Sequence, residues 1–449
     1  METVKENKNQ NRHQPRRKSA VDPKKRKSSF SDDFKKLGLN IHGVRLPKFE
    51  VQDEYLELID NPDKVNNTYD FLIALCQKGF KNLNLKRGSE EHKKYTDRIY
   101  YELDILKELG FVDYILLVWK VIHFCNTSDI PVGLGRGSAA GSFVLYLLGV
   151  TKIDSVKYDL FFERFVSKIR AKKKVVDGVT YLDGSLMCDI DMDVCYYKRK
   201  NVLKYLEEEF KGKTSKIRTL NTLSGKLVMK ECGKTVEDKS ETEMNHVSAM
   251  IPKVFGQVKD ISEAYEEVDD FRNWCDENPR TYQTAQKIKG LVKNKGVHPS
   301  AILLSYDNIV RSCPLELDSE KEKISSYNMD WSQMFNVKLD VLGLRTVSVV
   351  DQACKFIGIK VEDIDLDHES IYQNLFDLKQ PQGIFQVEAR ANYEVCRKVK
   401  PKNLEELSAV LALARPGALA FVDQYANYTN NDTYDVIHPF FDDILGSTG

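Results

Sequence analysis

The stretch MCDIDMDVC, residues 187–195, constrains the fold more than any other, because an acid occupies every second position. Asp189, Asp191 and Asp193 alternate there with apolar residues. Side chains of a β-strand alternate between its two faces, so the pattern predicts a strand with three carboxylates on one face and a buried apolar face. Adjacent carboxylates repel one another, and a divalent cation with oxygen ligands removes that repulsion. A metal-binding strand and a solvated acidic edge strand are both compatible with the pattern.

A calcium-binding EF-hand loop begins with the same DxDxD spacing. That loop also needs glycine at its sixth position and glutamate at its twelfth. Val194 and Lys200 occupy those positions here, which excludes this type of calcium site.

The composition is typical of a multidomain globular protein. The 449 residues are 42% hydrophobic and 30% charged, which predicts about two to four domains with apolar cores. No run of 18 apolar residues occurs, and the N-terminus is polar and basic, so we expect neither a membrane span nor a secretory signal. Nine dispersed cysteines without a CxxC pair predict free thiols in a reducing cytoplasm.

The formal net charge is zero, but the N-terminal segment is strongly basic. Residues 1–30 contain ten Lys or Arg and three Asp or Glu, a net charge of +7. With few apolar residues, residues 1–45 are predicted to form a disordered basic tail. The PKKRK stretch at 23–27 resembles a nuclear localisation signal, and a solvated tail or loose nucleic-acid contact explains it equally well.

Hydrophobic periodicity predicts the order of helices and strands along the chain. Apolar residues at helical spacing indicate helices, and Asp-Gly steps indicate turns. We expect helices over 65–126, a hairpin within 168–184, a charged helix over 198–210, mixed helix and loop over 221–295, strands at SAILLS and FNVKLDVLGL, and mainly helix over 346–449.

A second motif, GLGRGSAAGS at 133–142, precedes an apolar segment that is predicted to be helical. Glycines let backbone amides approach an anion, and a helix N-terminus adds partial positive charge. The motif therefore predicts a phosphate cradle, with Arg136 as counter-charge and Ser138 as hydroxyl donor. Small residues that permit close helix packing are the other interpretation.

Two nucleotide-binding patterns compete for the same glycines and lysines. Gly135-x-Gly137-x-x-Ala140 fits the loose dinucleotide fingerprint, but no clear second strand ends at an acid about 20 residues later. Two GKT triplets also occur, but Glu207 and Val228 replace the first glycine that a P-loop requires. The P-loop is rejected, and the dinucleotide fingerprint remains a weak alternative.

A second acidic strand candidate is NVKLDVLGLRT. Lys338 and Asp340 are two residues apart, so both side chains point to the same face of a strand. They form either a simple neutralising pair or part of a site. In the second case, Asp340 joins Asp189 and Asp191 around metal, and Lys338 meets a phosphate.

Taken together and in this order, five motifs resemble the bacterial family C DNA polymerases, the alpha subunit of DNA polymerase III. The resemblance implies an α+β multidomain fold, with a polymerase beta-like nucleotidyltransferase palm on a mixed sheet, a mainly helical thumb and partial helical fingers. The motifs are PVGLGRGSAAGSFVLYLLGVTKIDSVKYDLFFERF, CDIDMDVC, VKLDVLGLRT, GIFQVEAR (383–390) and LALARPGAL (411–419).

The resemblance also implies a reaction and a site. The reaction is template-directed DNA synthesis from dNTPs on primer-template DNA by two-metal nucleotidyl transfer. The implied residues are Asp189, Asp191 and Asp340 for catalysis and two Mg²⁺ ions, Arg136, Gly137, Ser138, Arg164 and Lys338 for nucleotide phosphates, and Lys226 and Lys230 for DNA.

The resemblance does not extend to every domain of the family's proteins. The polymerase-and-histidinol-phosphatase domain has no counterpart, and the sequence stops inside the fingers. We therefore expect a split or truncated polymerase, such as a phage would encode, completed by a second polypeptide with the rest of the fingers and the C-terminal domains. A non-catalytic DNA-binding or assembly subunit is the alternative. The expected domains are palm 46–220 and 296–345, thumb 221–295, and incomplete fingers 346–449.

Overall fold

A computed structural model describes most of the chain after the basic tail. The described residues are 42–169, 171–254, 257–318, 320–373, 375–379, 381–415, 417–431, 433 and 438–441. The predicted tail, including PKKRK, lies outside them except for its last four residues. Within these ranges, every helix is too short or too polar to cross a membrane.

Helices and strands alternate irregularly along the chain. The α-helices are α1 Asp53–Leu56, α2 Thr68–Lys81, α3 Glu90–Leu109, α4 Val112–Thr127, α5 Phe143–Leu147, α6 Arg199–Glu209, α7 Gly225–Val236, α8 Glu241–Met250, α9 Ile261–Glu267, α10 Asp269–Glu277, α11 Pro279–Ile288, α12 Met329–Ser332, α13 Arg345–Ile357, α14 Arg390–Val399, α15 Leu404–Leu413 and α16 Val422–Asn431. The strands are β1 Lys173–Val176, β2 Val179–Leu182, β3 Asp191–Cys195, β4 Thr214–Thr222, β5 Lys253–Val254, β6 Gln257–Val258, β7 Val292–Leu304, β8 Leu315–Leu317, β9 Lys323–Asn328 and β10 Val337–Leu344. Short 3₁₀ helices include Gly137–Gly141 and Phe162–Arg164.

The first helices form as the periodicity of residues 65–126 predicts. Asn67 and Ser89 accept hydrogen bonds from backbone amides at the starts of α2 and α3, and Gly110 ends α3 in the left-handed conformation. Ten of the 16 residues of α4 are buried, so this helix lies at the centre of the largest apolar core. Each buried aliphatic or aromatic side chain there stabilises the fold by about 1.5–3 kcal/mol.

A six-stranded mixed sheet carries the acidic strands, in the order β3-β10-β7-β4-β9-β8. β10 lies parallel to β3 and antiparallel to β7, so it joins the edge strand β3 to the rest of the sheet. The expected α+β class with a mixed sheet is therefore confirmed.

The hairpin predicted within residues 168–184 is also present. β1 and β2 pair in antiparallel register, with Lys174 opposite Tyr181. Asp177 and Gly178 at the turn both have positive φ, as a two-residue hairpin turn of this type requires. Of the residues in these two strands, only Leu182, the last residue of β2, is buried.

Helices α7–α11 lie between β4 and β7 in sequence and have an apolar core of their own. Its buried members are Val228, Met229, Cys232, Met244, Val247, Ile251, Ile261, Ala264, Phe271, Cys275 and Ala285. β4 ends at Thr222 and β7 begins at Val292. The first two and the last four residues of the range predicted for the thumb, 221–295, therefore belong to the sheet. A further core of residues 375–426 is formed around α14–α16.

All nine cysteines are free, as their dispersed positions predict, and all nine are also buried. The strand prediction for residues 187–195 needs one correction. β3 begins at Asp191, and Asp189 lies in the irregular segment that precedes it. The apolar alternation nevertheless holds, because Ile190, Met192 and Val194 are all buried.

Candidate active site

The register of two parallel strands brings the acidic residues together. Asp340 of β10 is paired with Asp191 of β3, and Asp189 lies two residues earlier along the chain. Carboxylate oxygens of Asp189, Asp191 and Asp340 lie within 4.8 Å of one another. Asp340 is buried, whereas 52% of the Asp189 side chain is exposed. The three carboxylates thus form a cluster that is open to solvent on one side.

Two cations neutralise this cluster. Lys338 Nζ lies 3.1 Å from Asp189 Oδ2 and 2.7 Å from Asp340 Oδ2. On the other side, Arg136 Nε lies 4.0 Å from Asp191 Oδ2, and Arg136 Nη1 lies 3.6 Å from an oxygen of the neighbouring Asp193. The family resemblance assigned both cations to phosphates, and here both contact carboxylates. The Lys338–Asp340 contact is the neutralising pair that the strand pattern also allowed.

Burial and mutual repulsion perturb the titration of the cluster. Burial raises the pKa of Asp189, Asp191 and Asp193, and the charge of a neighbouring aspartate raises each pKa further. Burial alone would lower the pKa of Lys338, but its hydrogen bonds and charge contacts with Asp340 and Asp189 raise the pKa overall. A divalent cation would relieve the same repulsion, and an all-carboxylate oxygen set suits a hard ion such as Mg²⁺. The residues present therefore fit a metal site.

The glycine-rich segment reaches the cluster by pairing with the free edge of β3. Val132 forms an antiparallel bridge with Val194, and the Gly133 amide donates to the Asp193 carbonyl at 2.8 Å. A Cβ atom at residue 133 would lie 2.9 Å from the Cβ of Asp193, so only glycine permits this approach. Gly137 follows with a φ of 64°, and a Cβ there would lie 3.7 Å from Asp191 Oδ2.

The helix predicted after the glycines is present, but it is short and is preceded by a 3₁₀ turn. Residues 137–141 form a 3₁₀ helix, and α5 has five residues. The first turn of α5 is already occupied by Glu102 of α3, whose carboxylate accepts from the Phe143 amide at 2.9 Å and the Val144 amide at 3.0 Å. The amides that remain for an external anion are therefore those of the 3₁₀ turn, at Gly137 and Ser138.

The sequence interpretation did not identify Glu102. Burial raises the pKa of its carboxyl, despite the amide hydrogen bonds and the charge of Arg98. The signal was its place on α3: Tyr95, Glu102 and Leu109 are seven residues apart, and all three are buried. An acid on the buried face of a helix needs a partner, because an unpaired charge is too costly in a core.

A cavity of about 790 Å³ adjoins the glycine-rich segment. Its lining includes Gly133, Arg136, Asp193, Val347, Phe385 and Leu411. Small-molecule sites commonly have volumes of 300–1,000 Å³, so the cavity has room for a nucleotide-sized ligand.

Sequence comparisons agree with this architecture. Residues 70–343 match the profile described as bacterial DNA polymerase III alpha NTPase domain. Residues 346–449 match the profile described as bacterial DNA polymerase III alpha subunit finger domain. The chain belongs to the bacterial DNA polymerase III alpha family.

Two named members of the DNA polymerase III alpha family show the extent of the similarity. DNA polymerase III subunit alpha of Staphylococcus aureus (strain COL) is 31% identical over 422 residues, which cover 91% of this chain and 36% of that protein. The Aquifex aeolicus (strain VF5) protein of the same name is 30% identical over 415 residues, which cover 85% and 33%. The chain thus spans about a third of the length of these relatives.

Three further residues that the family resemblance assigned lie outside the carboxylate cluster. Arg164 is exposed at the end of the 3₁₀ helix Phe162–Arg164, which packs near Gly141 of the glycine-rich segment. Lys226 and Lys230 lie on α7, and Lys230 pairs with Glu241 of α8 at 3.1 Å. Among the described residues, the side chains of Arg164 and Lys226 form no ion pair.

Proposed function

We propose that this chain carries the catalytic centre of a DNA-directed DNA polymerase. The observation that carries the proposal is the in-register pairing of Asp340 with Asp191, with Asp189 beside them. A cluster of three carboxylates is costly without a cation, and the phosphate-binding turn at Gly137 opens next to it. Membership of the DNA polymerase III alpha family supports this assignment over a dinucleotide-dependent oxidoreductase.

Asp189, Asp191 and Asp340 are proposed to hold two Mg²⁺ ions, with the backbone of β3 and β10 fixing their spacing. The ions would lower the pKa of the primer 3′-hydroxyl and neutralise the charge of the leaving pyrophosphate. The chain's own contribution is to hold the carboxylates at fixed distances on two paired strands, which limits reorganisation during the reaction.

Arg136, Lys338 and Arg164, with the amides of Gly137 and Ser138, are proposed to bind the triphosphate of the incoming dNTP. Arg136 and Lys338 are already at the cluster, where carboxylates neutralise them. When metal cations bind the carboxylates, the side chains of Arg136 and Lys338 become available to phosphate oxygens. Positive groups placed where negative charge develops stabilise phosphoryl transfer.

The separate apolar cores support the domains inferred from the family resemblance. We propose a palm over 46–220 and 296–345, a thumb over 221–295 and the first part of the fingers over 346–449. Lys226 and Lys230 of the thumb would contact phosphates of the primer-template duplex. Such contacts add affinity without reading the DNA sequence.

Primer extension tests the proposal directly. Purified chain is mixed with primer-template DNA, four dNTPs and Mg²⁺, and Asp191→Asn is compared with Asp97→Asn, which changes an exposed acid on α3. Removing residues that merely orient metal ligands costs about 10–100-fold, so we expect Asp191→Asn to lose at least about a hundredfold in rate. The Asp97→Asn variant should retain the parental rate. Full activity in Asp191→Asn would rule out this site.

The assay is run alone and with a second polypeptide that carries the rest of the fingers and the C-terminal domains of the relatives. Extension that requires the second polypeptide and is lost in Asp191→Asn would support a split polymerase. No extension in either reaction, with DNA binding retained, would support a non-catalytic DNA-binding or assembly subunit instead.

A further inference from the structure

The hairpin β1–β2 has one face that is attached to the protein and one that points outward. On the attached side, Lys168 pairs with the Glu108 carboxylate at the end of α3, and Lys173 donates to the Glu108 carbonyl. On the outward side, Lys174 is opposite Tyr181. Lys172 precedes β1, but the Asp183 amide donates to its carbonyl, so Lys172 and the exposed Asp183 continue the pairing and share this face.

The outward side combines cations with aromatic rings. The ring centroids of Tyr181 and His42 are 5.2 Å apart. Lys172 and Lys174 are exposed, and neither side chain forms an ion pair or hydrogen bond with another described residue. We call Lys172, Lys174, Tyr181 and His42 the hairpin face.

The charge of the surrounding sequence has the same sign. Residues 168–184 contain five Lys or Arg and two Asp, a net charge of +3. His42 is the first described residue after a segment whose first 30 residues have a net charge of +7. The rest of the chain is negative overall, so these two segments of the sequence carry its excess of positive charge.

We propose that the hairpin face binds the phosphate backbone of DNA. The proposal rests on the proposed function for the choice of DNA as the polymer, and it adds a contact surface outside the carboxylate cluster. Unpaired lysines bind phosphates and release condensed counterions, and the two rings can contact a sugar or base. Lys168 is paired with Glu108 on the attached side, so it is not part of the hairpin face.

The hairpin face is within reach of DNA bound at the catalytic cluster. Tyr181 and Asp189 are eight residues apart, so their Cα atoms are at most about 28 Å apart. B-DNA rises about 3.4 Å per base pair, so this distance corresponds to about eight base pairs. A duplex or template strand that starts at Asp189 is therefore long enough to pass the hairpin face.

The test is the salt dependence of DNA binding by the full-length chain. Fluorescence anisotropy is measured in EDTA between 50 and 300 mM salt, with a 24-base-pair duplex and with a 24-nucleotide single strand. The double variant Lys172→Ala/Lys174→Ala is compared with Lys86→Ala/Lys93→Ala, which removes two exposed lysines near the opposite end of α3. All four substituted side chains are exposed, so both variants should fold.

Each lost phosphate contact reduces the slope of log K against log salt by about 0.9 for duplex and about 0.7 for a single strand. We expect the Lys172→Ala/Lys174→Ala variant to reduce the slope by about 1.8 on duplex DNA or by about 1.4 on the single strand. The DNA whose slope changes is the one that the hairpin face binds. The control pair should leave the slope unchanged, and Lys172→Arg/Lys174→Arg should restore it. An unchanged slope on both DNAs in the hairpin variant would overturn the proposal.

The two proposals fail separately. EDTA prevents catalysis, so a reduced slope supports the hairpin face even if the chain extends no primer. An unchanged slope together with Mg²⁺-dependent extension would leave the catalytic site standing and remove the hairpin face.

Discussion

At the scale of single residues, Lys338 allows three carboxylates to coexist in the absence of metal. Its ammonium group lies between Asp189 and Asp340 and satisfies both through charge-assisted hydrogen bonds. The same position places it in competition with any cation that the aspartates bind. Lysine and metal are therefore alternative partners of the same oxygens.

Replacing Lys338 with alanine should strengthen metal binding in the absence of nucleotide. The metal then displaces no ammonium group, and a hydrogen bond to a charged group contributes about 1.5–3 kcal/mol, which predicts about 10- to 150-fold tighter binding. Calorimetric titration with Mg²⁺ or Mn²⁺ measures this, with Lys355→Ala as the control because Lys355 pairs with Asp129 and Asp351 outside the cluster. Unchanged or weaker metal binding in Lys338→Ala would contradict the competition.

The raised pKa of Asp191 predicts how pH affects stability. A carboxyl whose pKa is higher in the folded state stabilises the fold fully below its unfolded pKa, and that contribution is lost as pH rises through the folded pKa. In EDTA, Asp191→Asn should therefore gain stability relative to the parent at pH 7.5, and the gain should shrink towards pH 4.5. Denaturant unfolding across this range measures the difference.

Metal should reverse the sign of that comparison. A ligand at one hundred times its dissociation constant stabilises the folded state by about 2.7 kcal/mol, and Asp191→Asn loses part of this. With saturating Mg²⁺ at pH 7.5, we expect the parent to be the more stable protein. A gain for Asp191→Asn that is independent of both pH and Mg²⁺ would show that the effect is not electrostatic.

At the scale of secondary-structure elements, α5 depends on a side chain from another helix. Five residues are too few for a stable isolated helix. Glu102 contributes acceptors for the Phe143 and Val144 amides and for the Ser142 hydroxyl, and Arg98 balances its charge. This contact fixes the segment that follows the 3₁₀ turn Gly137–Gly141.

Glu102→Ala should be strongly destabilising. It leaves buried amides and Arg98 without their partner, and breaking a buried ion pair typically costs 3–5 kcal/mol. Urea unfolding measures the loss, and Asp97→Ala on the exposed face of the same helix should stay within about 0.5 kcal/mol of the parent. A loss below about 1 kcal/mol for Glu102→Ala would mean that the helix start finds other partners.

Elements with local signals were predictable, and contacts between distant elements were not. The helices of residues 65–126 have periodic apolar faces and caps, and Asp177-Gly178 specifies a hairpin turn. By contrast, no local pattern reveals that β10 separates β3 from β7, or that Arg136 lies against Asp193. The grouping of Asp340 with Asp189 and Asp191 was one of two interpretations of the strand pattern, and the family resemblance favoured it. The strand register gives it a physical basis.

The position of Asp189 outside β3 has a similar cause. The register that pairs Asp191 with Asp340 would pair Asp189 with Lys338, but the ladder starts only at Asp191. The side chains of Asp189 and Lys338 meet instead through a hydrogen bond of 3.1 Å. An alternating sequence predicts which face a residue occupies, and the partner strand decides where pairing begins.

At the scale of the whole molecule, apolar cores form separately along the chain. The core of α7–α11 draws all its buried members from residues 228–285, whereas the largest core joins the first helices to β3 and β10. Segments with their own cores commonly open as separate cooperative units. A substitution that destabilises only the core of α7–α11, the helical insertion between β4 and β7, should therefore leave metal binding unchanged.

Phe271→Ala tests this independence. Phe271 is fully buried in the core of α7–α11, and truncating such a side chain costs about 3–5 kcal/mol. We expect faster amide hydrogen exchange within residues 225–288 and unchanged Mn²⁺ binding at the carboxylates. Phe111→Ala, in the core that contains β3, should weaken Mn²⁺ binding as well. Loss of Mn²⁺ binding in Phe271→Ala would show that the insertion and the sheet form one cooperative unit.

The strand order also determines when the site can form during synthesis. Lys338 and Asp189 are 149 residues apart, and at about 5–20 residues per second the ribosome needs roughly 7–30 s to translate that interval. During this time β3 has one edge without its sheet partner, because β10 has not been made. The nascent chain therefore carries an exposed acidic strand whose charges resist aggregation, and the carboxylate cluster assembles only when β10 pairs with β3.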